Sequence, residues 1–473
     1  MAHSIQNTQT TQAQPFVGNA KLTVGIVLGV LTFWLFAQTL LVAGPAVQET
    51  IGISSAELSL GISITSLISG CFIVVAGGLA DKFGRVKFTY IGFILSIIGS
   101  LLLIVAPNAL IYSVARAIQG LSAACIMPAT LALIKEYYKE GSHRHTALSW
   151  WSVGSWGGSG VCSLAGGAIA TSLGWQWIFI FSIICALVGM LLIKGTPESK
   201  MTGKSSKFDY VGLFFFVIGL LSLNIFITKG GELGWMSPAI LISLSVFIIA
   251  LIVFIVVELR LKDRAFIDFS LFKNMPYSGA TFSNFMLNAV AGSLFVVNLY
   301  VQQARGFTPF LTGLLSIGYL IAVLGMIPVG QIILQKMGAK KPMLLGTFTT
   351  GIGIALMALT FLPHLAYIIV VALGFIFFGL GLGFYATPST DTAVSNSPED
   401  KVGVASGIYK MASSLGGAFG VAISATVYAA ILSSTPTMEE LDIAGMAGLL
   451  VNVGFCVLSY LSIIFLVPKN AGK

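Results

Sequence analysis

Apolar residues run along this chain in long blocks, broken at short intervals by charge, Gly and Pro. About 20 apolar residues suffice to carry an α-helix across the hydrocarbon core of a bilayer. Fourteen blocks approach that length: 21–45, 57–79, 88–106, 109–133, 147–171, 174–194, 209–228, 238–259, 277–303, 310–333, 343–362, 366–388, 404–431 and 441–467. The pattern predicts an all-α polytopic membrane protein with fourteen transmembrane helices. The first twenty residues are polar and lack Lys and Arg. The apolar block behind them exceeds a signal-peptide core, so an uncleaved first span is expected.

Composition agrees with this reading and adds a direction. Of 473 residues, 56% are hydrophobic and only 9% charged, too little charge to clothe a water-soluble surface. All of the Lys and Arg residues except Arg116, Lys229 and Arg305 fall at or toward the ends of blocks on one side, the side of both termini. Basic loops mark the cytoplasmic face, so both termini are expected in the cytoplasm of a multi-pass protein of the cell membrane. The net charge of +8 then reports orientation, and no nucleic-acid partner is expected. Cys71, Cys125, Cys162, Cys185 and Cys456 all lie inside apolar blocks and read as packing residues. His143 and His145 have no further ligand nearby, so no metal site is expected.

Two stretches echo one another. "GGLADKFGRVK" at 77–87 has Lys82, Gly84 and Lys87 where "QIILQKMGAKK" at 331–341 has Lys336, Gly338 and Lys341, an offset of 254 residues. Blocks that begin near 21 and 277 share nearly that offset. The expected organisation is an N-terminal arm at 1–20, a six-helix bundle at 21–194, a linker at 195–208, two inserted helices at 209–259, a linker at 260–276, a second six-helix bundle at 277–467 and a tail at 468–473. Paired bundles with a site between them are the common design of secondary transporters. No HExxH, Walker or GxSxG pattern is present, so neither an enzyme nor a bound cofactor is expected.

The charged island between the second and third blocks has to turn the chain in few residues. Gly77, Gly78 and Gly84 permit close approach or positive φ. Asp81 beside Arg85 is suited to hold a neighbouring helix in one conformation and release it in another; a solvated basic loop is the plainer alternative. "GGLADKFGRVK" resembles the loop 2–3 signature of the major facilitator superfamily, and "RAIQGLSAACIMPA" from Arg116 is similar to its fourth-helix motif. "GWQWIFIFSI", "KFDYVGL" and "ELRLKDRAFIDFSLF" resemble landmarks of its fourteen-helix drug:proton antiporter branch. "FWLFAQTLLVAGP", "SAACIMPATLALIK", "SVGSWGGSGVCS" and "GFYATPSTDTAV" are similar to the Nor-type quinolone and multidrug efflux pumps of Gram-positive bacteria. The resemblance implies export of amphipathic drugs, fluoroquinolones included, driven by a proton gradient through alternating access, in a protein that is usually a monomer.

Arg116 lies about 10 Å inside the fourth span at 1.5 Å per residue. Burial of its permanent charge is costly and needs a reason. In the family the matching Arg is implicated in proton coupling, while tying helices together by backbone carbonyls is the alternative. The first-helix Asp common in that branch is replaced here by Phe36. The remaining acids lie near the ends of spans, and the candidates for proton coupling are Glu57, then Asp81, then Asp391. Gly154, Gly158 and Gly166 in the fifth span have the spacing of a close helix contact, although Cys162 and Ser163 stand where the antiporter motif has Gly-Pro.

For substrate, the ninth span is the leading candidate. At 100° per residue Asn284, Asn288, Asn298 and Gln302 fall in one arc with Phe295. Amides do not face lipid without losing hydrogen bonds, so they are expected to face the cavity or to join helices. Trp34 and Gln38, one turn apart, offer a stacking surface and an amide. Lys410 answers a substrate carboxylate or snorkels to the surface. Trp175, Trp177 and Trp235 read as an aromatic belt. Export of a natural metabolite or fatty acid and uncoupled lipid handling are the alternatives to drug export.

Overall fold

The computed structural model describes residues 16–138, 147, 150–151, 154–155, 158–200, 209–261, 267, 269–397 and 402–469, apart from the side chains of residues 36, 38, 331, 394 and 402–404. Fifteen α-helices form among them: α1 (Ala20–Ile51), α2 (Ser55–Phe83), α3 (Arg85–Ile104), α4 (Ala109–Tyr137), α5 (Gly158–Ser172), α6 (Gln176–Ile193), α7 (Tyr210–Leu233), α8 (Pro238–Leu261), α9 (Met275–Ala289), α10 (Ala291–Gln303), α11 (Pro309–Met337), α12 (Lys340–Met357), α13 (His364–Ser395), α14 (Val402–Ala429) and α15 (Met438–Leu466). Eleven spans among the described residues are long and apolar enough to cross a membrane, α9 and α10 counting together, and twelve if the bent α1 is included. α5 has 15 described residues and α12 opens on Lys340, Lys341 and Pro342.

Helices dominate because hydrocarbon offers no partner to a backbone N–H or C=O, so each segment must bond within itself. Short polar residues then close the starts. Asn19, Asn108, Asn274, Thr308 and Thr437 each accept a hydrogen bond from the amide three residues on. Ser54 and Glu57 form a reciprocal capping box on α2. α1 bends by 46° between Leu35 and Thr39, where the Thr39 hydroxyl donates back to Leu35 O.

Two departures from the sequence pattern matter for the site. First, the charged island is barely a loop: α2 continues to Phe83, α3 starts at Arg85, and Gly84 alone, at φ +128°, makes the turn. Second, the ninth span is two helices, with Val290 between them at φ −64°, ψ −5°. The helical phase worked for an unbroken segment therefore does not carry from Asn284 and Asn288 to Asn298 and Gln302.

Helices α1–α6 pack against one another, and α9–α15 do likewise; α7 and α8 pair together, with α7 also lying against α2 and α14. Helix α1 meets α10 across the groups, and the two largest seams between them are α5 on α11 and α2 on α14. Small residues set both. At the first, Gly313 approaches the backbone of Ser163 and Leu164, Ser163 meets Ser316 at 2.9 Å, and Ser159 meets Tyr319 at 3.1 Å. At the second, Gly70 faces Ser414 and Leu415, while Gly407 faces Val74.

Candidate functional site

At the end of the molecule where α2 turns into α3, Arg85 gathers four segments. Its Nε meets Asp81 Oδ1 at 2.7 Å, and its Nη1 donates to Glu136 Oε2 at 3.1 Å and to Ser199 Oγ at 3.0 Å. The first four amides of a helix have no partner inside it. Here the Glu198 carboxylate, from the segment after α6, accepts from Val86 N at 2.9 Å and Lys87 N at 3.0 Å. A Cβ on Gly84 would run into that carboxylate, so both the positive φ and the close approach demand glycine there. Gly77 and Gly78 lie within α2; Gly77 faces Pro128, and Gly78 has open space.

Arg116 is fully buried where α4 crosses α2. Its Nε donates to Gly61 O at 3.1 Å and its Nη1 to Gln119 Oε1 at 2.6 Å. The crossing is tight on both sides: Thr65 Oγ1 donates to Arg116 O at 3.0 Å, and Gly120 sits against Thr65 O. Glu57 starts the same α2, one turn before Gly61. Its carboxylate accepts from Ser54 N at 2.9 Å and pairs with Lys229 at 3.4 Å; Lys229 also reaches Glu232 at 2.9 Å, and Ser54 Oγ donates to Glu232 at 3.0 Å. Asp391, half-buried in α13, makes no ion pair among the described residues.

The four amides of the ninth span do different jobs. Asn284 Nδ2 donates to Tyr409 O at 3.0 Å and Ser413 Oγ at 2.6 Å, so it joins α9 to α14. Asn288 Nδ2 folds back on Asn284 O and Oδ1. Asn298 is buried in α10, with its Oδ1 unbonded among the described residues, and Phe295 packs in the core. Gln302 Nε2 donates to Val42 O at 2.7 Å and so links α10 to α1 across the two groups. Lys410 is half-buried in α14. Trp34 meets Phe33 edge-on at 5.0 Å, with its Nε1 buried and unbonded among the described residues; the Gln38 side chain lies outside them.

Gly154, Gly158 and Gly166 all face α1, at Val27 and Val30, at the Trp34 ring and at Thr39 respectively. That stripe therefore seats the fifth segment on the first helix, leaving Gly160 and Gly167 toward α11. Trp175 is buried and donates to Thr50 Oγ1 at 3.1 Å, so it is a packing residue, whereas Trp177 and Trp235 are exposed. The partners that sequence reasoning missed belong to Lys229 and to Arg305, which pairs with Asp442 at 3.4 Å. Isolation from the other cations was the only signal either carried.

The helix order, the turn at Gly84 and the buried Arg116 invite comparison with known transporters. The family model of the major facilitator superfamily matches residues 26–421. This chain belongs to the major facilitator superfamily. Among curated relatives it is similar to the quinolone resistance protein NorB of Staphylococcus aureus, with 55% identity in one strain and 54% in another over 458 residues, covering 97% of this chain and 98% of the relative. Among solved structures it resembles the nucleoside transporter NupG, at TM-score 0.67 and 15% identity over 95% of this chain and all of that one. A D-xylose–proton symporter gives TM-score 0.65 and 16% identity over 96% of this chain and 99% of that one. These two likenesses are of fold. As a major facilitator the protein is a multi-pass membrane carrier and not an enzyme.

Proposed function

We propose that this carrier is a drug:proton antiporter of the cell membrane that exports amphipathic drugs, fluoroquinolones among them, by alternating access. The observation that carries the reading is likeness along nearly the whole chain to a quinolone resistance protein. The architecture that suits it has fourteen spans, with α5 and α12 counted as membrane-crossing alongside the more apolar twelve. α1–α6 and α9–α15 are then the two moving bundles and α7–α8 the inserted pair. The basic residues at the Gly84 end make that face cytoplasmic, with both termini on it, and the protein acts as a monomer.

In this scheme the seams of small residues, α5 on α11 and α2 on α14, are where the bundles rock. Asp81, Arg85 and Glu136 hold the cytoplasmic turn, and Arg116 fixes α4 to α2 beside the mouth-level acid Glu57. Proton binding at Glu57 would release Lys229 and loosen the start of α2. Asp81 and Asp391 are the next candidates. Substrate is taken between the bundles, where Trp34, Asn288, Asn298, Gln302 and Lys410 supply ring, amide and cation; Asn284 and Phe295 support them from behind.

The test is norfloxacin-driven proton release from inverted vesicles carrying the wild type, Arg116→Ala or Glu57→Gln. Release by the wild type and its loss in both variants, with drug binding retained, is the expected result. A silent wild type overturns the function, and a Glu57→Gln variant that releases protons normally removes Glu57 from the pathway.

A further inference from the structure

Beyond the proposed drug path, α11 and α13 enclose a cavity of about 560 Å³ on the outside of their group, lined by Arg305, Phe307, Leu311, Leu314, His364, Ala372 and Ile376 with their neighbours. Its shape follows from where the glycines are. From Gly318 onward the two helices touch: Gly318 on Ile376, Gly379 on Tyr319 and Ala322, Gly383 on Val323 and Met326, and Gly330 on Gly383 and Phe384. Before Gly318 the facing positions carry Leu311, Leu314 and Leu315 against His364 and Ile368, and the helices are held apart. The result is a slot that tapers shut at Gly318. His364, Ile368, Ala372 and Ile376 recur every four residues along one wall, a stripe about 18 Å long at 1.5 Å per residue.

The walls are aliphatic and face outward: Leu311, Leu314 and Ile376 are each more than a third exposed, as are residues facing lipid. The mouth is different. It lies where α10 ends and α11 and α13 begin, opposite the Gly84 end, and it holds Arg305 and His364. The Arg305 side chain is 8% exposed and rigidly built: Nε donates to Tyr300 OH at 2.9 Å, Nη2 to Thr360 O, to Leu362 O at 3.2 Å and to Asp442 at 3.4 Å, and the guanidinium stacks on Tyr367 at 5.0 Å. Among the described residues none accepts from its Nη1. A fixed guanidinium edge and an imidazole above a narrow aliphatic slot match one kind of molecule, an anionic head on a hydrocarbon chain.

We infer that this slot binds an anionic phospholipid of the surrounding leaflet, one acyl chain between α11 and α13 and the phosphate at Arg305 and His364. Arg305 and His364 hold the phosphate that every phospholipid carries, and preference for an anionic lipid comes from charge: a choline cation is repelled by the guanidinium, although Asp442 offsets part of that charge. The lipid fills space that the large residues above Gly318 keep open.

The experiment titrates the full chain in detergent with phosphatidylglycerol and, separately, phosphatidylcholine, counting bound lipids by native mass spectrometry. Ala372→Phe fills the slot from a lipid-facing wall, and His364→Ala removes one head-group donor; both leave the Arg305–Asp442 network intact. Wild type is expected to bind one phosphatidylglycerol about tenfold or more tighter than phosphatidylcholine, whose choline cation the guanidinium repels. Ala372→Phe should lose that site, and His364→Ala should bind phosphatidylglycerol more weakly while keeping the preference that Arg305 supplies. Equal phosphatidylglycerol binding by wild type and a monodisperse Ala372→Phe overturns the inference, as does equal binding of the two lipids by wild type. If norfloxacin binding is lost in Ala372→Phe while phosphatidylglycerol binding is unchanged, the slot takes drug and the inference fails.

Discussion

Gly313→Ala isolates the mechanical role of the α5–α11 seam. A Cβ at Gly313 would stand 2.9 Å from Ser163 O and 3.1 Å from Leu164 Cα, against ordinary contact at 3.4 Å and beyond. The shortfall is about 0.5 Å, and both obstacles are backbone, so no side chain can swing aside. Overpacking of this kind costs about 1–3 kcal/mol; for a single methyl and half an ångström the lower end applies, about 1 kcal/mol. That cost falls only on the conformation in which α5 and α11 touch here. Replacing a mid-helix glycine by alanine meanwhile favours the helix by about 0.5–1 kcal/mol in every folded conformation. The two effects separate cleanly. Thermal stability should be unchanged or slightly raised, while the population of the seam-closed conformation falls about fivefold relative to the open one. Double electron–electron resonance between spin labels on exposed Leu173 and Met438, at the same end but in different helix groups, reads that ratio directly. An unchanged distance distribution with a lowered melting temperature would refute the reasoning, because the clash would then be borne by the fold as a whole. Gly420→Ala is the control: its Cβ would run into Ala289 O within one group, so it should lower stability without moving the distances.

Further expectations concern single contacts. Glu198→Ala removes both acceptors at the start of α3 and should destabilise the protein by about 1–2 kcal/mol, the usual worth of a helix cap, measurable by thermal unfolding in detergent; Glu198→Gln, with one acceptor oxygen left, should lose less. Arg116→Lys should fail to restore proton release to Arg116→Ala, because a point-like ammonium does not reproduce a planar fork reaching Gly61 O and Gln119 Oε1 together. Asn284→Ala should lower stability by about 1 kcal/mol through its lost bonds to Tyr409 O and Ser413 Oγ with little change in drug affinity. A triple Asn284→Ala, Asn288→Ala, Gln302→Ala variant that is normally expressed and still confers full quinolone resistance would remove these amides from the drug path.

The sequence alone determined that the chain spans a membrane, where most helices lie, which residues are costly to bury and which family motifs recur, because each of these depends on residues close along the chain. A block of apolar residues has to become a helix wherever water is absent, and the positions of Asn19, Ser54, Asn108 and Thr437 mark helix starts for the same local reason. Periodicity also picks the face of a helix that is special, as it did for Gly154, Gly158 and Gly166. It does not say what stands opposite. Only the tertiary structure decided that this stripe meets α1, that Asn284 is spent on α14, that Glu57 is held by Lys229 and that Arg305 finds Asp442. Those partners lie more than a hundred residues apart, and the helix break at Val290 alters the phase that links the four amides. Contact across helices is set by how whole faces of small and large residues fit together, and no single segment carries that information.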